Sequence, residues 1–190
     1  MLFKKAFRQI KTIVPIFEVT AISASNQPTN DDVQVLSNNA GDTQTITLFG
    51  IDNSNVFQVR TLTLTGTTAV DSVLDPKWKT IYGAFLGDTR GNISKRAVGI
   101  ITIREKSGGQ AIATIAAGKL STGALFFDIK GQDVTIENID GNTYFNPDGL
   151  ASTTGACGQM TGRMSRDIVA GDYLSLISDA TGSTVQMYVY

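Results

Sequence analysis

The residue types that most often carry catalysis are scarce in this chain of 190 residues. It contains no histidine and a single cysteine, Cys157. Ser-His-Asp triads, Cys-His dyads and histidine-ligated metal sites are therefore impossible with its own side chains. One cysteine also cannot close an internal disulfide or supply a thiolate metal cage. Ordinary hydrolytic chemistry is mostly excluded before any motif is considered.

Motifs for phosphate binding and for activated nucleophiles are missing as well. No G-x-G-x-x-G, S-x-x-K or G-x-S-x-G string occurs. Gly118-Lys119 is followed by Leu120, and Ala113 stands where a P-loop has its first glycine. The densest carboxylate pair, Asp31-Asp32, consists of adjacent residues, which point to opposite faces of a strand. We therefore predict no catalytic residue, no bound cofactor and no enzymatic activity.

One oxygen-rich segment leaves a calcium site open as an alternative. Asp140, Asn142, Asn146 and Asp148 fall at even spacings, and calcium prefers carboxylate and amide oxygens. The segment lacks the order of acids, glycine and final glutamate that defines an EF-hand. Since Asp, Asn and Gly are also the standard turn residues, we favour a polar hairpin end and predict no metal site.

The charges are unevenly distributed along the chain. Lys4, Lys5, Arg8 and Lys11 lie in the first eleven residues, which contain no acid. The other 12 basic residues are spread along a body that holds all 17 acidic residues. A cationic arm on a mildly acidic body suits docking on an acidic surface, whether of a partner subunit, a nucleic acid or a lipid.

Residues 1–14 have the pattern of an amphipathic helix. Apolar residues recur at steps of three and four, the basic residues take the other face, and Pro15 should end the helix. A secretory signal peptide is the alternative, but Arg8 and Lys11 would interrupt its apolar core. The residues of this arm that we expect to bind a partner are Phe3, Lys4, Lys5, Phe7, Arg8, Ile10 and Lys11.

After Pro15 the periodicity changes to that of β-strands. Thr43–Phe49 and Val59–Thr65 alternate between Ile or Leu and polar residues, chiefly Thr, which is typical of strands buried on one face. Further strands are predicted at Trp78–Leu86, Val98–Arg104 and Gln110–Ile115. The predicted core contains Ile46, Leu48, Leu62, Leu64, Ile101, Ile103, Ile112 and Ile115, with Thr45, Thr47, Thr61 and Thr63 on a wetter face.

Turn signals close the later strands. Asp140-Gly141 follows Asp133–Ile139 as a hairpin signal, and a loop at Ser178–Ser183 predicts a C-terminal hairpin. Ten or more short strands without a second helix predict an all-β chain, an antiparallel β-sandwich of jelly-roll-like form. The expected organisation is an arm at 1–15 and a sandwich domain at 16–190.

One polar stretch departs from this rhythm. Residues 146–166 are rich in Gly, Ser and Thr, and loops of this length are usually functional or mobile. A partner-binding loop and a merely long connection are equally compatible with its composition. Within it, Arg163 and Arg166 are the candidate anchors, because arginine pairs well with a neighbour's carboxylates.

Three segments give the chain a resemblance to a known family. They are TLTLTGTTAV at Thr61–Val70, WKTIYGAFLGDTRGN at Trp78–Asn92 and GIITIREKSGGQAIATIAAG at Gly99–Gly118. Together they resemble a recurrent pattern in virion structural proteins of tailed bacteriophages, and the resemblance extends from Arg60 to Tyr190 without the polar stretch at 146–166. It implies a protein without catalytic residues, located in the virion, that contacts other virion proteins and copies of itself.

Within the virion, the favoured role is a minor capsid, vertex or decoration subunit. The alternatives are a tail or fibre-base component, or a carbohydrate-binding module for host attachment. Specific nucleic-acid binding by the body is not expected, because it is acidic and its aromatic residues lie within apolar strands. Contact of the N-terminal helix with a membrane surface stays open but is not favoured.

Overall fold

In the computed structural model, the regular secondary structure of the described residues is almost entirely antiparallel β-strand. It describes residues 12–19, 22, 24–90, 92–128, 130–131, 133–147, 151, 154, 158–169 and 174–189. These contain one short 3-10 helix, Ala24–Asn26. The strands are, in chain order, β1 (Thr12–Val19), β2 (Val33–Ser37), β3 (Thr45–Asp52), β4 (Phe57–Thr63), β5 (Val70–Ser72), β6 (Trp78–Leu86), β7 (Ile101–Glu105), β8 (Ala111–Ile115), β9 (Ser121–Gly123), β10 (Leu125–Phe127), β11 (Asp133–Asn146), β12 (Gly158–Thr161), β13 (Met164–Val169) and β14 (Leu174–Val189).

The strands form three sheets in a sandwich-like arrangement. Sheet I has the order β5-β2-β7-β8, and sheet II has the order β4-β3-β6-β9. In sheet III, β14 and β11 are central, β1 and β10 pair with β14, and β12 and β13 pair with β11. Buried apolar residues from all three sheets belong to one cluster. The predicted antiparallel all-β architecture is therefore confirmed.

The apolar half of the predicted core is confirmed with one partial exception. Seven of the eight predicted Ile and Leu residues are at most 3% exposed, and Leu62 is half-buried against the cluster. Alternation on β3 and β4 placed these residues correctly because one face of each strand lies on the core. Trp78 is also fully buried and donates its indole N–H to the carbonyl of Ser72 at 3.1 Å.

The predicted wet face of threonines is correct on β4 and wrong at Thr47. Thr61 and Thr63 are exposed, whereas Thr47 is fully buried. The five consecutive residues Ile46–Gly50 of β3 are buried, so both faces of this strand are covered there. Burial is tolerated because the Thr47 hydroxyl donates to the carbonyl of Gly87 at 2.7 Å.

Sheets II and III are joined by one continuous stretch of chain. Strand β9 pairs with β6 in sheet II, and after the single residue Ala124 strand β10 pairs with β14 in sheet III. Gly123 makes the corner with a φ of 76°, and a Cβ there would lie 2.5 Å from the carbonyl oxygen of Tyr82. Glycine is required here because both the left-handed backbone and the close approach exclude a side chain.

The two predicted hairpins at Asp140-Gly141 and Ser178–Ser183 are wrong. Strand β11 runs on through Gly141 to Asn146, and β14 is a single strand of 16 residues that pairs with β11 on both sides of the Ser178–Ser183 segment. The turn residues instead mark irregularities, where the register shifts between Asn138 and Asp140 and between Gly141 and Thr143. The residues that are typical of turns therefore form bulges within β11 and β14.

The prediction of a helix over 1–14 is wrong at its C-terminal end. Thr12, Ile13 and Val14 belong to β1, where they pair with residues 187–189 of β14. Pro15 lies where the register shifts between Val14 and Phe17, in a strand at the edge of the sheet. Such a position tolerates proline because no ladder hydrogen bond from its nitrogen is needed. Residues 1–11 lie outside the described residues.

The predicted loop at 146–166 is also wrong over part of its length. Asn146 is the last residue of β11, and β12 and β13 take up 158–161 and 164–169. These strands pair with β11 even though few of their residues are buried. Low apolar content concealed them, because both faces of an edge strand can contact water.

A buried carboxylate joins three segments of the sandwich. Asp42 is fully buried and accepts hydrogen bonds from the Ser37 hydroxyl at 2.6 Å, the Gln44 amide at 3.0 Å, and the backbone N–H groups of Val98 and Gly99 at 2.8 and 2.9 Å. Burial opposes ionisation, but these four donors outweigh it and lower the pKa of Asp42 to about 2. The ends of β2 and the starts of β3 and β7 are held together by this one charge.

Truncating a core side chain should destabilise the sandwich strongly. We expect Ile103→Ala to lower the free energy of unfolding by roughly 2–5 kcal/mol, because it leaves a cavity in a fully buried site. The exposed Thr63→Ala is the matched control on another strand and should change it by less than about 0.5 kcal/mol. Urea unfolding measures both, and equal effects would contradict the assigned register.

Lowering the pH should reduce the contribution of the Asp42 carboxylate to the stability of the fold. Its folded pKa is below the ordinary value of 3.8, so its contribution to stability is complete above that pH and declines as the pH falls towards about 2. We expect Asp42→Asn to lower the Tm markedly at pH 6, and the difference from wild type to shrink between pH 4 and pH 2. A Tm difference that stays constant over that range would show that the Asp42 charge is not what stabilises the fold.

Candidate assembly surface

The two arginines singled out from the sequence lie along one edge of sheet III. Arg163 is in the turn between β12 and β13, and Arg166 is in β13 itself. The two strands follow each other along β11, with Thr161 opposite Asn142 and Met164 opposite Asn138. Within the described part of the chain, β13 pairs only with β11, so its outer edge faces solvent.

The two arginines contact opposite faces of the sheet. Arg166 is opposite the buried Ile136, and its guanidinium carbon lies 5.5 Å from the centre of the Phe145 ring, in a cation–π contact. Arg163 has a side chain that is 80% exposed, and its guanidinium lies 3.6 Å from the carboxylate of Glu137. Glu137 is opposite Ser165, on the face away from Ile136.

This edge is exposed over an unusual length. All seven residues from Thr161 to Asp167 are exposed, including Met164 at 41%. Exposure of consecutive residues means that both faces of the strand are open, because neighbours in a strand point to opposite sides. We call residues 161–167 the β13 edge. It combines an open row of backbone groups with two arginines, one aspartate and one methionine.

A buried polar network holds the turn that precedes β13. Asn138 is fully buried, and its amide nitrogen donates to the carbonyls of Gly141 at 3.0 Å and Gly162 at 2.6 Å. Its oxygen accepts from the hydroxyl of Thr143 at 2.6 Å, and Thr143 is 2.7 Å from the hydroxyl of Ser183. The network thereby connects the β11 irregularity to the turn that carries Arg163.

The predicted arm residues lie outside the described residues. They are Phe3, Lys4, Lys5, Phe7, Arg8, Ile10 and Lys11. The point where the arm joins the body is described: Thr12 pairs with Val189, Val189 with Val134, and Val134 with Ile168. The arm therefore enters sheet III in the same cross-strand row as the end of β13, three strand spacings or about 14 Å away.

The acidic residues of the body have ordinary structural contacts. The Asp140 carboxylate accepts from the backbone N–H of Thr184 at 2.8 Å. Asp31 accepts from the hydroxyl and backbone N–H of Ser107, which lower the pKa of Asp31, whereas Asp32 forms an ion pair with Lys77 at 2.7 Å. Among the described residues, no three of the types His, Cys, Asp and Glu are grouped to hold a metal ion. No helix in that part of the chain could span a membrane.

Sequence reasoning found the two arginines but missed the surface around them. Met164 and Ser165 lie within the predicted loop at 146–166, and Asp167 follows directly after it. The run MSRDIV contains three consecutive polar residues, so no alternation of apolar and polar residues marked β13 as a strand. The Asn138 network had no sequence signal, because Gly162 and Ser183 reach Asn138 only through the pairing of β11 with β12, β13 and β14.

Comparison with known proteins adds no relative. No family model matches this chain, and neither a curated protein nor a solved structure matches it. Function is therefore inferred from the residues of the chain itself.

Removing the Asn138 amide should loosen the β13 edge. We expect Asn138→Ala to lower the free energy of unfolding by about 1–3 kcal/mol, since it removes the amide donor to the Gly162 carbonyl and the buried acceptor of the Thr143 hydroxyl. Ser165→Ala, an exposed change on the same edge, is the control and should have little effect. Thermal unfolding compares them, and similar Tm values for the two variants would count against the network.

Proposed function

We propose that this protein is a structural component of a bacteriophage virion, acting by assembly with other virion proteins. The favoured placement is on the capsid, as a minor capsid, vertex or decoration subunit. The observation that carries the proposal is the resemblance over Thr61–Val70, Trp78–Asn92 and Gly99–Gly118. Those segments contain the end of β4, the whole of β6 and the β7–β8 pair, so the resemblance falls mainly on strands of the sandwich.

The physical character of the molecule supports assembly over catalysis. A sandwich with a continuous buried cluster is a rigid body, and such bodies bind through area, shape and a few anchors. The β13 edge would supply an exposed strand edge, and the arm, which is joined to the same sheet at Thr12, would supply apolar and basic anchors. A jelly-roll-like form of the sandwich, location in the virion and the absence of enzymatic activity belong to the same proposal.

The arm is the proposed tether to neighbouring subunits. Phe3, Phe7 and Ile10 would bury apolar area, while the basic residues would face an acidic surface. Self-association within the assembly is expected as well, because virion components are used in multiple symmetric copies. Contacts made by Arg163 and Arg166 would be weaker and salt-sensitive, since both arginines lie at an exposed edge.

Deleting residues 1–11 should abolish incorporation into particles and leave the fold intact. This deletion stops before Thr12, so β1 keeps its pairing with β14. Phe3→Ser together with Phe7→Ser should have the same effect, because the two rings supply much of the apolar area of the arm. The measurement is the amount of each variant in purified particles, with circular dichroism as the control for folding. Normal incorporation of the truncated chain would refute the docking role.

A mass-spectrometric copy count on purified particles separates the possible placements. A shell or decoration role predicts copies on the order of hundreds, in line with icosahedral order, whereas a tail or fibre-base role predicts the few copies of a cyclic ring. Absence from particles would overturn the proposal. Glycan binding on an array would support the host-attachment alternative, and an enzymatic activity that is lost with one carboxylate would contradict the non-catalytic role.

A further inference from the structure

We infer that the β13 edge pairs with the same edge of a second copy, antiparallel and about a two-fold axis at Ser165. The inference deepens the proposed assembly function by naming the surface and the partner for self-association. It starts from the open edge: β13 has one neighbouring strand in the described part of the chain, and residues 161–167 are exposed. An unpaired strand edge is a template for another strand.

Two-fold symmetry restricts the possible registers. Antiparallel strands from two copies are related by an axis perpendicular to the sheet, so each face of one sheet continues into the same face of the other. Residues that are directly opposite must then come from the same face. Every allowed register therefore places one residue opposite its own copy. Each register is therefore defined by the residue that lies on the two-fold axis.

The charges select Ser165 as the centre. In that register Arg163 is opposite Asp167 of the second copy, and the symmetry repeats the pair. A centre at Arg166 would place two arginines opposite each other, and a centre at Asp167 would do the same with two aspartates; like charges directly opposite are destabilising. A small hydroxyl side chain then occupies the axis, where side chains approach each other most closely.

Both faces of the sheet suit this register. On one face, Asp167 already accepts a hydrogen bond from the hydroxyl of Thr135 at 2.5 Å, and Glu137 is 3.6 Å from Arg163. These contacts place the carboxylates beside the position of the incoming arginine. On the other face, Met164 is opposite Arg166 of the second copy, so the exposed thioether would pack on an aliphatic stem.

A disulfide between copies tests the register directly. With Cys157→Ser as the background, Ser165→Cys places two thiols opposite each other, at the Cα separation of about 4.5–5.5 Å that a disulfide accepts. Thr161→Cys is the matched control on the same edge, since its two copies would lie about 25 Å apart. We expect disulfide-linked dimers of the purified protein with Ser165→Cys only. Equal cross-linking of both variants, or of neither, would overturn the inference.

Exchange of the charges tests the pairing without introducing a thiol. Arg163→Asp alone should weaken self-association by about tenfold or more, because it places carboxylates opposite each other. Arg163→Asp combined with Asp167→Arg restores opposite charges and should recover most of the affinity. Sedimentation equilibrium measures the dimer constants. A protein that stays monomeric in every variant would mean that these charges prevent edge pairing instead.

The outcomes separate this inference from the proposed function. Incorporation into particles without Ser165→Cys cross-linking would leave the virion role intact and reject the β13 contact. Cross-linked dimers of a protein that is absent from particles would support the contact and reject the virion role. Both assays use the full chain.

Discussion

The buried amide of Asn138 is the contact on which sheet III depends. Strands β11 and β14, of 14 and 16 residues, run antiparallel across the sheet, and long strand pairs accumulate twist that must be relieved. The register shifts near Asn138 interrupt the ladder of backbone hydrogen bonds. Asn138 satisfies the carbonyls of Gly141 and Gly162, so the same side chain that closes the irregularity also sets the turn before β13.

The position of the proposed contact surface follows from that geometry. Sheet III is joined to sheet II at the β9–β10 corner. Strand β1 lies at one edge of sheet III, and the β13 edge lies at the other. Because Thr12 and Ile168 are in one cross-strand row, the start of the arm and the end of β13 lie at the same end of the sheet. An arm and a strand edge at the same end of one sheet could bind neighbouring subunits at the same time. Two weak contacts would then give a higher overall affinity than either contact alone.

The sequence predicted the strands of the sandwich better than sheet III. Clean alternation located β3, and the apolar run of β6 was found with its observed bounds. Asp140-Gly141 misled because the dipeptide signals a left-handed backbone, which a bulge uses as readily as a hairpin; Gly141 has a φ of 66°. Thr12–Val14 was predicted as helix because a short apolar run fits the periodicity of a helix as well as that of a strand. Pairing with β14 makes this segment a strand. The β13 edge was missed because its residues are exposed on both faces.

The proposed function is assembly, with the β13 edge as a contact surface. Amide hydrogen exchange tests it most directly, by comparing Met164–Val169 in dilute protein with the same residues in concentrated or particle-bound protein. The outward amides of an open edge exchange fast, and pairing with another strand protects them. We predict that protection of these residues rises on assembly while that of the buried strand β3 stays the same. Unchanged exchange at Met164–Val169 in the assembled state would contradict pairing at the β13 edge.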